Sequence, residues 1–410
     1  MTQKVVLVGS LDTKGIEFKY IKDALEKLGI ETLVVDVGVL NKPAFNPDIP
    51  SSEVAQFAGT TLEILREEKD RGKAVTAMAE GAAKAVEKLL AQGIVGGIFG
   101  MGGTAGTTVG ASAMKVVPIG IPKLLLSTVA SGNTRPYVGV KDVTMMYSVI
   151  DIAGVNKLSR RILSNAAYAI GGMVKGISTE LEQEEEKTTI GMTMFGVTTP
   201  CVTRVREILE EKGYDILVFH ATGTGGLAME ELVDAGFIKA VADITTTELA
   251  DELVGGIFTA GPSRLEAAGR SGVPQVVSVG ALDMVNFGPP DTVPEKFKNR
   301  KFYQHNPTTT LMRTTIEENR QLGETIAKKL NQAKSPTVVI FPKGGVSLID
   351  QASQAFDGVE EREALYKALK ENLRSDIPFI ESEKNINDPS VSVLISEQLL
   401  SILREEISIS

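Results

Sequence analysis

Short apolar runs alternate along the chain with segments whose apolar positions recur at helical spacing. Lys4 to Gly9 (KVVLVG) is the kind of run buried on both faces of a parallel sheet. A polar loop, Ser10 to Gly15, follows. Glu17 to Leu28 then sets Phe18, Ile21, Leu25 and Leu28 on one helical face, with Gly29 as C-cap. Ile30 to Gly38 reads as the next strand, completing a βαβ unit. Asn41 to Pro50, rich in Pro and Asn, is an excursion. Residues 73–92 predict a helix, Ile94 to Gly100 a strand, and Pro122 to Gly132 a strand and turn.

The same order recurs after residue 188. Thr189 to Gly196 predicts a strand, Arg204 to Lys212 a helix and Gly213 to Gly223 a strand. LEKLG at 25–29 mirrors LEEKG at 209–213, and seven residues past each glycine stand Asp36 and His220. VGGIF occurs at 95–99 and again at 254–258, and IPKLLLS at 121–127 mirrors VPQVVSV at 273–279. These anchors predict an internal duplication: two Rossmann-like α/β domains with mainly parallel sheets, at 1–180 and 188–410. The boundary falls at the Glu-rich stretch 179–187, read as a solvated linker. Residues 141–163 predict a long helix with Met145, Met146, Val149, Ile150 and Val155 on an apolar face, for the core or a dimer seam. The tail, 359–404, predicts two amphipathic helices.

Ligands on such sheets lie at the carboxyl ends of the strands, so the loops there are the candidates. Asp12, Thr13 and Lys14 in GSLDTKG stand at a helix mouth, as a phosphate loop or as a turn N-capped by Asp12. GMGGTAGTTVG lets backbone approach an anion at Gly102 and Gly103, with Thr104, Thr107 and Thr108 as donors; tight strand–helix packing is the other reading. Thr128, Ser131 and Gly132 lie in STVASGNTR, a third such loop or a surface turn. Asp36 ends the second strand, where dinucleotide folds hold a ribose, but no G-x-G-x-x-G is present. A mononucleotide fits better than NAD, and Asp12 with Lys14 suggests ATP with Mg²⁺ held through Asp12. The second repeat lacks the glycine run and carries both histidines, His220 and His305. With Asp283, Asn286 and Arg313 they are candidates for proton transfer and anion binding, or buried structural groups. Cys201 follows Pro200 at a helix start and reads as packed and inert more readily than reactive.

The chain carries 43 Lys and Arg against 52 Asp and Glu, a formal charge of −9, with no dense basic segment. Nucleic-acid binding is therefore not expected, since phosphate contacts need clustered cations. One cysteine precludes a disulfide within the chain. Residues 93–114 are uncharged but glycine-rich, which reads as loops around a strand and not as a membrane span. Asp12 comes too early for a secretory leader, so a cytoplasmic protein is expected.

The motifs GSLDTKGIEFKY, GMGGTAGTT, PKLLLSTVASG, GMTMFGVTTPCV, VFHATGTGG, LDMVNFG and YQHNPTTTLMRT resemble the Tm-1-like ATP-binding (UPF0261) family over about residues 3 to 395. The resemblance implies two Rossmann-like domains, ATP with Mg²⁺ in the first, and a homodimer. Nucleotide contacts would fall on Asp12, Thr13 and Lys14, on Gly102, Gly103 and Thr104, and on Thr128, Ser131 and Gly132. Plant members continue into a TIM-barrel-like region, so such a partner would here be a separate polypeptide. Two functions follow as expectations. One is an ATP-dependent ligase or phosphotransferase whose small anionic metabolite sits in an interdomain cleft facing His220, His305, Asp283 and Arg313. The other is an ATP-stabilised dimeric regulatory module.

Overall fold

A computed structural model describes residues 3–178 and 187–409, with side chains through 404. The Glu-rich linker lies outside the described residues but for its end. The chain divides into two compact units, Met1–Glu184 and Glu185–Ser410.

The first unit runs β1 (Lys4–Gly9), α1 (Leu11–Lys27), β2 (Thr32–Asp36), α2 (Ser51–Phe57), α3 (Leu62–Glu68), α4 (Arg71–Ala91), β3 (Val95–Gly102), α5 (Thr104–Lys115), β4 (Lys123–Ser127), α6 (Arg135–Val138), β5 (Thr144–Tyr147) and α7 (Lys157–Ser178). Its strands form one parallel sheet in the order β2-β1-β3-β4-β5. Every residue of β3 and β4 is buried, because helices cover both faces. Val6, Val8, Ala82, Val86 and Met114 build the core on one face, and Leu7, Phe18, Phe99 and Ile170 on the other.

The second unit runs β6 (Thr189–Met194), α8 (Thr199–Glu211), β7 (Asp215–His220), α9 (Thr224–Asp234), β8 (Ala240–Thr245), α10 (Glu248–Val254), α11 (Ala267–Ser271), β9 (Gln275–Gly280), β10 (Met284–Phe287), β11 (Phe302–Asn306), β12 (Thr309–Arg313), α12 (Ile316–Leu330), β13 (Thr337–Pro342), α13 (Val359–Asn372), β14 (Phe379–Ser382) and α14 (Pro389–Ile409). Six of these strands form a parallel sheet, β14-β13-β9-β8-β6-β7; β10, β12 and β11 form a small antiparallel sheet. Counting strands from the start of each unit, both large sheets begin 2-1-3-4, as a duplicated architecture requires.

Three sequence expectations are corrected. The second VGGIF is not a strand: Val254 ends α10, and the Gly255 and Gly256 amides donate to the Asp251 carbonyl. The true third strand is β8, so the identical pentapeptides occupy different structures. Residues 141–163 do not form one helix; β5 occupies 144–147 as an edge strand on β4, and helix resumes at Lys157. The β-branched and aromatic residues from Val143 to Ile152 favour extended chain over helix. The tail holds β14 between its two helices, pairing in parallel with β13.

Candidate functional site

In the first sheet the strand order reverses between β1 and β3, and an open cavity of about 560 Å³ lies beside the helices that follow those strands. Ser10, Asp12 and Thr13 line it from α1, and Ala105 and Val109 from α5. Val37, Val39, Leu40, Leu65, Val75 and Met78 make an apolar wall, and Arg66, Lys69, Asp70 and Arg71 a charged one.

The mouth of α1 is already filled. Asp36 Oδ1 accepts from the Leu11 and Gly38 amides, each at 2.9 Å, and the residue is 1% exposed. Burial raises its pKa above the usual carboxylate value against the pull of those amides. This carboxylate secures a helix end and does not line the cavity. Asp12 Oδ2 accepts from the Leu40 and Asn41 amides at 2.9 and 3.2 Å, which pins the excursion over the loop. Asp12 Oδ1 is buried without a hydrogen-bond partner. Lys14 takes non-helical angles (φ −126°, ψ 19°) and its Nζ donates to the Ile152 carbonyl; it does not line the cavity. Thr13 stands exposed on the rim.

The mouth of α5 is open. Its N-cap, Gly103, supplies no side-chain hydrogen bond, so the first amides of the helix lack capping by their own turn. A Cβ on Gly102 would lie 2.9 Å from Gly106 Cα, so the glycine permits the tight entry into the helix. Gly102, Gly103, Thr104 and Thr128 come together here: the Thr128 amide donates to the Gly102 carbonyl at 3.2 Å, and Thr104 is exposed. Thr107 is packed inside, its Oγ1 2.6 Å from Ser127 Oγ. Thr108 bonds back to the Thr104 carbonyl. Ser131 and Gly132 lie exposed in the following turn and do not line the cavity.

Sequence reasoning missed the wall formed by α3, α4 and the turn between them. Its signal was present: Asp70 precedes an apolar periodicity and caps α4, accepting from the Lys73 amide at 3.0 Å. Lys69 closes α3 at φ 52°, a left-handed conformation costing a non-glycine residue about 1–2 kcal/mol. Among the described residues no cluster of three or more His, Cys, Asp or Glu could hold a metal ion. Asp12 and Asp70 nevertheless both line the cavity, and Mg²⁺ commonly needs only one or two carboxylates beside phosphate oxygens.

Residues 3–179 match the model of the Uncharacterised protein family (UPF0261) N-terminal domain, and residues 187–403 its C-terminal domain. The chain belongs to the UPF0261 family. A UPF0261 protein of Clostridium tetani is 52% identical, over 99% of this chain and 100% of its own. The ToMV susceptible protein tm-1(GCR26) of Solanum lycopersicum is 41% identical over 90% of this chain, which spans 51% of that protein. Among solved structures, UDP-N-acetylglucosamine 2-epimerase from Rickettsia bellii covers 100% of this chain and 98% of its own at 10% identity, with a TM-score of 0.25 that carries no argument.

The UPF0261 C-terminal unit presents another helix mouth, that of α9 after its second strand, in a different state. At the start of α9 the Gly223 and Gly226 amides donate to Glu248 Oε1 at 2.7 and 3.0 Å, and Arg264 Nε donates to Oε2 at 2.6 Å. A Cβ on Gly226 would fall 2.0 Å from that carboxylate, so the glycine serves the chain's own anion. Burial raises the Glu248 pKa, while Arg264 and the two amides hold it down. Arg264 also binds Asp243 through both terminal nitrogens, and Glu230 at 3.3 Å. The cradle is filled from within.

Of the four catalytic candidates, Asp283 and Arg313 meet directly. His220 ends the edge strand β7, exposed, with its ring 5.7 Å from that of Phe195. His305 lies exposed on β11. Arg313 is buried and donates to the Asp283 carbonyl (3.2 Å), Thr314 Oγ1 (3.0 Å) and Asp350 Oδ1 (3.2 Å). Asp283 Oδ2 accepts from Ser347 Oγ at 2.8 Å, and burial, then Asp350, pushes its pKa up to about 7. Asn286 donates to Asp251 Oδ2 at 2.6 Å. Burial likewise pushes the Cys201 thiol up to about 12, as an inert packed cysteine requires.

Proposed function

We propose that the first unit binds a nucleoside triphosphate, ATP with Mg²⁺, at the carboxyl edge of its sheet. The observation that carries this reading is a cavity of about 560 Å³ at the strand-order reversal, beside a helix mouth with no side-chain cap. Small-ligand sites span roughly 300–1,000 Å³ and favour such reversal points. The aliphatic wall suits a base, and the α5 amides suit phosphate oxygens. Asp12, with its unpartnered Oδ1, and Asp70 are the carboxylates that would share Mg²⁺ with the phosphates, and the ion would offset phosphate charge. Lys14 and Asp36 are committed to Ile152 and to the α1 mouth, so the reading gives them structural roles and no contact with the nucleotide.

The test is calorimetric titration of the whole chain with MgATP, alongside Ala105→Asp. That substitution sets a carboxylate in the first turn of α5, where the helix dipole tolerates it and phosphate does not. Saturable binding by the wild type and its loss in the variant are expected. No binding by the wild type, or equal binding by a folded A105D, would overturn the proposal. Release of phosphate or pyrophosphate, measured on the same samples, separates an ATP-dependent enzyme from an ATP-stabilised module.

A further inference from the structure

We infer that the turn between α3 and α4 is the cationic clamp for the ligand's phosphate chain, acting through Lys69 and Arg71. The inference rests on the nucleotide reading of this cavity and assigns the charge-binding work that the sequence suggested for Lys14. Arg66, Lys69 and Arg71 are the cationic residues of the cavity wall; Lys14 is not on it. Arg66 is anchored through Nε to the Val39 carbonyl. Lys69 and Arg71 are exposed, and among the described residues neither side chain has a hydrogen-bond or ion-pair partner.

A second observation concerns the backbone. Lys69 stands at φ 52°, where glycine or asparagine is the ordinary helix terminator. Strain held at a cavity edge points to a use for the side chain. The adjacent charges are already employed: Lys73 Nζ lies 3.4 Å from Glu68, and Asp70 caps α4. That leaves two unmatched cations on the wall of a chain whose net charge is −9. Asp12 and Asp70, which line the same cavity, disfavour a bare anion, so the clamp suits a polyphosphate that arrives with a divalent cation.

The experiment titrates the full chain with MgATP, magnesium tripolyphosphate and adenosine at two ionic strengths. The variants are Lys69→Gln with Arg71→Gln, Lys69→Gly, and Lys14→Gln. The double variant should weaken both polyphosphates by about tenfold or more, the scale of one or two charge-assisted contacts, and flatten their salt dependence. Adenosine affinity should not change. K69G suits the left-handed turn, so it should melt no lower than the wild type while still losing polyphosphate affinity. K14Q should stay within about twofold of the wild type, since no phosphate contact is lost. If the wild type binds none of the three ligands, the nucleotide reading falls and the clamp with it. If the wild type binds MgATP and the double variant binds it equally well, only the clamp is overturned.

Discussion

Removing the carboxylate that fills the α9 mouth should cost the second unit a measurable share of its stability, and a small anion should restore part of it. Glu248→Ala deletes the acceptor of two buried amides and of Arg264 Nε, all within 3.0 Å. Breaking a buried charge pair from one side costs about 3–5 kcal/mol, because the surviving donors lose both water and partner. In a unit of this size each kcal/mol moves the melting temperature by about 2–4 °C, so a fall of roughly 6–20 °C is expected. Acetate or formate can occupy the vacated space and accept the same hydrogen bonds. Thermal melts with rising acetate, at constant ionic strength, should raise the variant's transition and leave the wild type's in place. A variant melting within about 2 °C of the wild type, or one indifferent to acetate, would refute the view that this cradle is an anion site satisfied internally.

Asp36→Ala should destabilise the first unit by about 1–3 kcal/mol, the penalty for stranding the Leu11 and Gly38 amides, as denaturant unfolding would report. Asp251 has its pKa pushed from 3.8 up to about 7 by burial, so the folded state holds its proton longer than the unfolded chain. Its contribution is therefore complete below about pH 4 and is lost as pH rises towards 7; melts across that window should show the decline, and Asp251→Asn should flatten it. Cys201 should resist a thiol reagent at neutral pH until denaturant exposes it, and modification of the native chain at the rate of a free thiol would contradict its burial.

The strands around the candidate site were legible because each is a compact apolar run: β1, β2, β3 and β4 all lie where the pattern sets them. The glycine loop was legible for the same reason, since a strand, a tight turn and a small-residue helix leave their mark within a dozen residues. Residues 51–71 were harder. α2 and α3 have seven residues each, too few for a clear helical period, and Lys69 ends α3 where a glycine would have announced the stop. The second VGGIF misled for a complementary reason. Five residues do not choose between strand and helix end; the Asp251 carbonyl that receives the Gly255 and Gly256 amides does.

Alternation of strand-like and helix-like segments is a local property, so the chain alone determined the two α/β units and the loops at their strand ends. Which loops are open is a long-range matter. Leu11 and Asp36 are 25 positions apart, as are Gly223 and Glu248, and nothing in either segment announces the carboxylate that will come to rest on those amides. Only the folded sheets, by bringing strand ends within hydrogen-bond reach (β1 beside β2 in one unit, β7 and β8 on either side of β6 in the other), decided that the chain fills the mouths of α1 and α9 itself and leaves the mouth of α5 uncapped.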